Sequence, residues 1–144
     1  MRLERLWWCL PVTVLCATDG LLTLWGQPET YWSGNFANMR EGHPVAAWFL
    51  RLHPLAFAAA GVPYLLVVVA VILWLPRRWA ALTAAGVAAG HAFAVVVWCQ
   101  ILFRQPAFAL VPMALVVVGL GLLAWQRGGA RSAEAGAPAD RPGD

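Results

Sequence analysis

Six side chains in this apolar sequence have the types and positions that chemistry would need: Asp19, Thr23, Glu41, His43, His53 and His91. Asp, Glu and His converging from separate segments are the inventory of a metal or proton site. Two of the histidines precede prolines, in "EGHP" and "HPLAF". A residue before proline is pushed out of the α region, and proline itself favours the first helical turn. His43 and His53 are therefore expected beside the N-termini of helices that begin at Pro44 and Pro54. That reading explains the prolines fully and the histidines only in part, since Ser, Thr, Asp and Asn cap helices better. Of the pair, His53 is the one expected to hold a second role.

Asp19 and His91 pose a sharper question, because each sits inside a long apolar run. An ionisable residue there is costly and is expected to face the inside of a helix bundle. Counted from the midpoints of their runs, the two differ in depth by about 5 Å at 1.5 Å per residue. They are expected to face one another, with Thr23 one turn outward of Asp19 on the same face. Two readings follow. The pair is a hydrogen-bonded fastening between helices, or it is a site that binds a metal, a proton or a small apolar ligand. The metal candidates are Asp19, His91 and His53, with Glu41, His43 and Thr23 as further ligand or proton candidates.

The elements that must position these residues are legible in the composition. Of the 144 residues, 61% are hydrophobic and 12% charged, about half the charge of a soluble domain. Residues 52–76, 79–103 and 105–126 carry no Asp, Glu, Lys or Arg, and residues 6–28 carry only Asp19. Each run is long enough to cross a hydrocarbon layer about 30 Å thick as a helix. The expectation is an all-α polytopic membrane protein. Its membrane domain, 1–126, holds four transmembrane helices at about 6–26, 53–75, 79–103 and 106–125, with an external segment at 27–52. The tail, 127–144, is Gly, Ala, Pro and charge and is expected to be disordered on the cytoplasmic side.

All ten basic residues are arginine, and they mark topology. Seven (Arg2, Arg5, Arg77, Arg78, Arg127, Arg131, Arg141) fall on one side of the four-span arrangement and three (Arg40, Arg51, Arg104) on the other. The positive-inside rule then places both termini in the cytoplasm of a bacterial inner membrane protein. Spread along the chain in this way, the net charge of +3 makes no nucleic-acid surface. Trp7, Trp8, Trp74, Trp79 and Trp125 are expected near the inner interface, and Trp25, Tyr31, Trp32 and Trp48 near the outer one. Cleavage of the first run as a signal peptide is disfavoured, because Leu15 is a poor residue at the first small position of a cleavage site. Cys9, Cys16 and Cys99 form no C-x-x-C and lie within the runs, so they read as small apolar groups.

Between the His-Pro pairs, Val45, Trp48, Phe49 and Leu52 recur at helical spacing. This predicts a short helix over Pro44 to Arg51, lying along the outer interface with Trp48 and Phe49 buried in lipid or against the bundle. In the third run, Gly86 and Gly90 stand amid alanines, a face that lets another helix approach. It suits packing within the bundle or a contact with a membrane partner or a second copy. No H-E-x-x-H, G-x-S-x-G, Walker or dinucleotide motif is present, and no cofactor is indicated. Haem would need His53 and His91 together, and they differ by half a bilayer in depth.

"TDGLLTLWGQPETYW" (Thr18 to Trp32), "EGHP", "HPLAF" and "GHAFAVVVW" (Gly90 to Trp98) resemble segments of a group of small bacterial four-span membrane proteins to which no activity is attached. The resemblance covers most of the chain outside the fourth run and the tail, and carries no catalytic assignment. The group's more usual Glu-x-Asn-Pro stands here as "EGHP", so it does not extend to His43. The functional expectation is a small subunit or scaffold of a membrane complex. The alternative is an outward-opening Asp/His site within the membrane.

Overall fold

A computed structural model describes residues 5–104, and all its regular elements are helices. They are α1 (Leu6–Trp25), α2 (Glu29–Trp32), a 3-10 turn (Phe36–Asn38), α3 (Pro44–Leu52), α4 (Pro54–Trp74) and α5 (Arg77–Phe103). Three of these, α1, α4 and α5, are long and apolar enough to cross a membrane. The expected fourth span and the tail lie outside the described residues.

The helix ends follow from local chemistry. His43 and His53 both have extended backbones, and their imidazoles accept from Ala46 N and Leu55 N. Each thus satisfies one of the unpaired N–H groups at a helix start. α5 begins at Arg77 rather than at the expected residue 79, because Pro76 takes the N-terminal flanking position and both arginines enter the first turn. Its far end closes on Arg104, the sole positive-φ residue other than glycine among the described residues (φ 50°), a left-handed terminus typical of helix ends.

α1 packs along α5 for its whole length. Toward the Arg5 end, Trp8, Val12 and Leu15 meet Ala80, Ala84, Ala88 and Ala92, and α4 joins through Val68 and Ile72. The alanines matter because a small side chain lets backbones approach where lipid removes the hydrophobic drive between helices. Toward the other end, Leu22 packs with Val95, Trp98 and Cys99 without help from α4. Gly26 is buried there, and a Cβ on it would overlap the Trp98 ring.

α4 holds to the bundle only over its second half. Its buried residues are Val68 and Ile72, and none precedes them. Gly61 lies on the same helical face as Val68 and Ile72, yet among the described residues a Cβ built on it meets nothing within 4 Å. Pro63, which supplies no N–H to the turn before it, stands where the packing stops. Among the described residues, the first half of α4 therefore buries no side chain against the α1–α5 pair.

The short helix expected over Pro44 to Arg51 forms as α3. On α3, Val45, Trp48 and Leu52 are 58%, 57% and 53% exposed, while Ala47 and Leu50 are buried. The apolar stripe faces away from the protein, because the adjacent face is held by the buried Tyr31, whose hydroxyl donates to Leu50 O at 3.0 Å. Burial also pushes the Tyr31 hydroxyl pKa above its ordinary 10.0. Tyr31 and Trp8 are core residues, whereas Trp7, Trp25, Trp32, Trp74 and Trp79 are exposed as interface aromatics would be.

Candidate functional site

Asp19 and His91 meet. His91 Nδ1 is 2.8 Å from Asp19 Oδ2, and the two side chains are 22% and 17% exposed. The meeting follows from the packing just described: Asp19 lies on the α1 face between Leu15 and Leu22 that α5 covers. The second carboxylate oxygen, Oδ1, accepts from the buried Thr23 hydroxyl at 3.5 Å, one turn on. Cys16 lies one turn the other way on α1.

The third member of the site is Tyr64, which the sequence reading passed over. Its hydroxyl stands 3.2 Å from His91 Nε2. Both ring nitrogens are thus engaged, one by α1 and one by α4. An ionised carboxylate can only accept, so Nδ1 then carries a hydrogen, and a neutral ring offers Nε2 as an acceptor for the Tyr64 hydroxyl. Asp19, His91 and Tyr64 form one hydrogen-bonded chain drawn from three helices. Tyr64 is 47% exposed, so the chain runs from a largely buried carboxylate to a half-exposed residue on α4.

The other sequence candidates stand apart. Glu41 Oε1 accepts from His43 N at 2.7 Å, which orders the approach to α3. His53 caps α4 and packs its ring on Phe36 at 5.2 Å between centroids. Tyr64 lies eleven residues further along α4, about 16 Å at 1.5 Å per residue, so His53 is not part of the chain. Among the described residues no group of three or more His, Cys, Asp or Glu is arranged to hold a metal. Asp19 and His91 spend their donor atoms on each other, on Thr23 and on Tyr64.

Beyond Thr23, the end of α1 is tied to the loop that follows it by a residue the sequence reading missed. Gln27 is buried, donates to Thr23 O at 2.7 Å and to Arg40 O at 3.0 Å, and accepts from Arg40 N at 2.7 Å. One amide thus closes the loop 27–40 onto the end of α1. The opposite direction is filled by Leu15, Val12, Val68 and Ile72. Beyond that core, the buried Arg5 guanidinium donates from Nη1 to Leu73 O at 2.8 Å and to Leu75 O at 2.6 Å. It satisfies carbonyls at the end of α4, which has no basic residue in its own last turn.

Comparison of the chain with protein families, curated proteins and solved structures found no match.

Proposed function

We propose that this is a small bacterial inner membrane protein with four spans and both termini in the cytoplasm, built around a proton-holding site at Asp19, His91 and Tyr64. The spans rest on α1, α4 and α5 being long and apolar enough to cross and on the charge-free run at 105–126. The orientation rests on the arginine split. On that placement α3 lies at the outer interface, and its outward stripe of Val45, Trp48 and Leu52 enters the lipid.

The observation that carries the reading is the pair of bonds on His91, 2.8 Å to Asp19 and 3.2 Å to Tyr64. A carboxylate, an imidazole and a phenol in series can take up a proton at one end and present it at the other, because each member both donates and accepts in one of its forms. Ionisable residues inside a membrane are typical of proton relays. A fastening alone would need only the Asp19–His91 bond. The test is pH-dependent infrared difference spectroscopy in bilayers. The proposal expects a carboxyl signal that titrates together with an imidazole signal in the wild type. Asp19→Asn removes both while circular dichroism stays helical. An unchanged spectrum in Asp19→Asn would refute it.

A second reading, a subunit or scaffold of a membrane complex, draws on α5. Its face opposite α1 presents Leu82, Gly86, Gly90, Phe93 and Val97 exposed, and among the described residues nothing lies within 4 Å of a Cβ on either glycine. That face suits a partner helix or a second copy.

A further inference from the structure

His53 is the whole connection between α3 and α4, since α3 ends at Leu52 and α4 begins at Pro54. Its backbone holds the corner from both sides. The N–H donates to Phe49 O at 3.1 Å, and the carbonyl accepts from Ala56 N and Phe57 N at 2.9 and 3.2 Å. The side chain adds two contacts. Nδ1 accepts from Leu55 N at 3.1 Å, and the ring packs against Phe36, which packs in turn on the buried Tyr31. The imidazole thus joins the start of α4 to the loop that precedes α3. The joint matters because, among the described residues, α4 buries nothing before Val68.

Both side-chain contacts depend on the protonation of the ring. Pro54 has no N–H, and Ala56 and Phe57 use the His53 carbonyl, so Leu55 N–H is the donor that needs the imidazole. Nδ1 accepts only while it carries no hydrogen. A proton placed there aims one donor at another, at the positive end of a helix. The cap is then lost, and the exposed ring turns to water and leaves Phe36. The capped form holds the ring without this proton and the released form holds it with, so falling pH favours release. Imidazole changes charge between about pH 5 and 8, whereas the commoner caps Ser, Thr and Asn do not.

The surroundings offer an imidazolium nothing to stay for. The 3-10 turn (Phe36–Asn38) and residues 54–57 carry no titratable side chain, and the last turn of α3 supplies a cation, Arg51. The Tyr31 hydroxyl is committed to Leu50 O, and Glu41 Oε1 accepts from His43 N. Among the described residues the one histidine–carboxylate pair is His91 with Asp19.

We propose that His53 is a proton-operated joint, in which a proton taken up at Nδ1 releases the start of α4 from the loop. The experiment follows the full chain in phosphatidylcholine nanodiscs by nuclear magnetic resonance at about pH 8 and about pH 5. On acidification the protection of the Leu55 amide from exchange, corrected for the pH dependence of exchange itself, should fall about fivefold or more, as one lost hydrogen bond implies. The ring-to-ring Overhauser contact between His53 and Phe36 should vanish with it. His53→Asn, a cap that does not titrate, should keep Leu55 equally protected at both pH values. Should that variant not fold, His53→Ser takes its place. Leu55 protection unchanged in the wild type, the same loss in the non-titrating variant, or a His53–Phe36 contact that persists in acid would each overturn the proposal.

Discussion

Tyr64 Oη and His91 Nε2 lie 3.2 Å apart, linking α4 to a helix 27 residues further along the chain. This bond turns the Asp19–His91 pair into a three-helix chain with one end at the half-exposed Tyr64. It is also the point at which fastening and proton chemistry make different predictions.

Asp19→Asn is expected to keep the bundle folded, since an amide oxygen can still accept from the imidazole. The loss should be about 0.6 kcal/mol, the size of an average interhelical hydrogen bond in a membrane. Asp19→Leu leaves His91 Nδ1 and the Thr23 hydroxyl without their partner and should cost about 1–3 kcal/mol. Thermal unfolding in detergent micelles compares them. Equal melting temperatures for Asn and Leu would remove the pair from the account of stability.

Gly26→Ala should destabilise the α1–α5 contact, because the new methyl group would overlap the Trp98 ring. Overpacking of this kind costs about 1–3 kcal/mol. Trp98→Leu in the same background should recover part of the loss, and a double-mutant cycle measures the coupling. Additive effects would show that the two residues do not touch.

Tyr31→Phe removes the bond to Leu50 O and leaves that buried carbonyl short of a partner, at about 1–2 kcal/mol. Burial raises the Tyr31 pKa above 10.0, so the folded state holds this proton more tightly than the unfolded state. The resulting stability is complete below pH 10 and declines as pH rises through the raised pKa. Unfolding followed between pH 8 and 11 should show an alkaline loss in the wild type that is smaller in Tyr31→Phe.

Much of this arrangement was legible beforehand, and the omissions have physical causes. Apolar run length announced α1, α4 and α5, and the His-Pro dipeptides announced the starts of α3 and α4. The depths of Asp19 and His91 brought the pair together before any coordinates. Tyr64 was missed because, within "GVPYLLVVV", an amphipathic ring counts toward an apolar run. The signal was present, as it is the only hydroxyl-bearing residue of α4. Gln27 and Arg5 were missed because their roles are contacts to backbone carbonyls of distant residues, which no local pattern encodes. The α3 stripe was correct as a stripe. Periodicity identifies an apolar face but not what covers it, and Tyr31 decided that the protein holds the other side.

Gln27→Ala should release the loop 27–40 from α1 while leaving the bundle intact. The Arg40 amide, which donates to the Gln27 side chain at 2.7 Å, should exchange with deuterium at least tenfold faster, and amides within α5 should not change. Unaltered exchange at Arg40 would mean that the amide does not hold the loop.

Topology is open to direct labelling. With Cys9, Cys16 and Cys99 replaced by alanine, an impermeant thiol reagent applied outside intact cells should label Asn35→Cys and spare Gly136→Cys. Labelling at 136 but not at 35 would invert the orientation.

The most direct test of the Asp19–His91–Tyr64 chain is the nitrogen-15 spectrum of ring-labelled histidine in the bilayer-reconstituted protein. The chain has three histidines, and His91→Gln identifies the resonances of interest. The account predicts that Asp19→Asn shifts chiefly the His91 Nδ1 resonance and Tyr64→Phe chiefly Nε2, with His43 and His53 unmoved. His91 resonances identical in the wild type and both variants would contradict it.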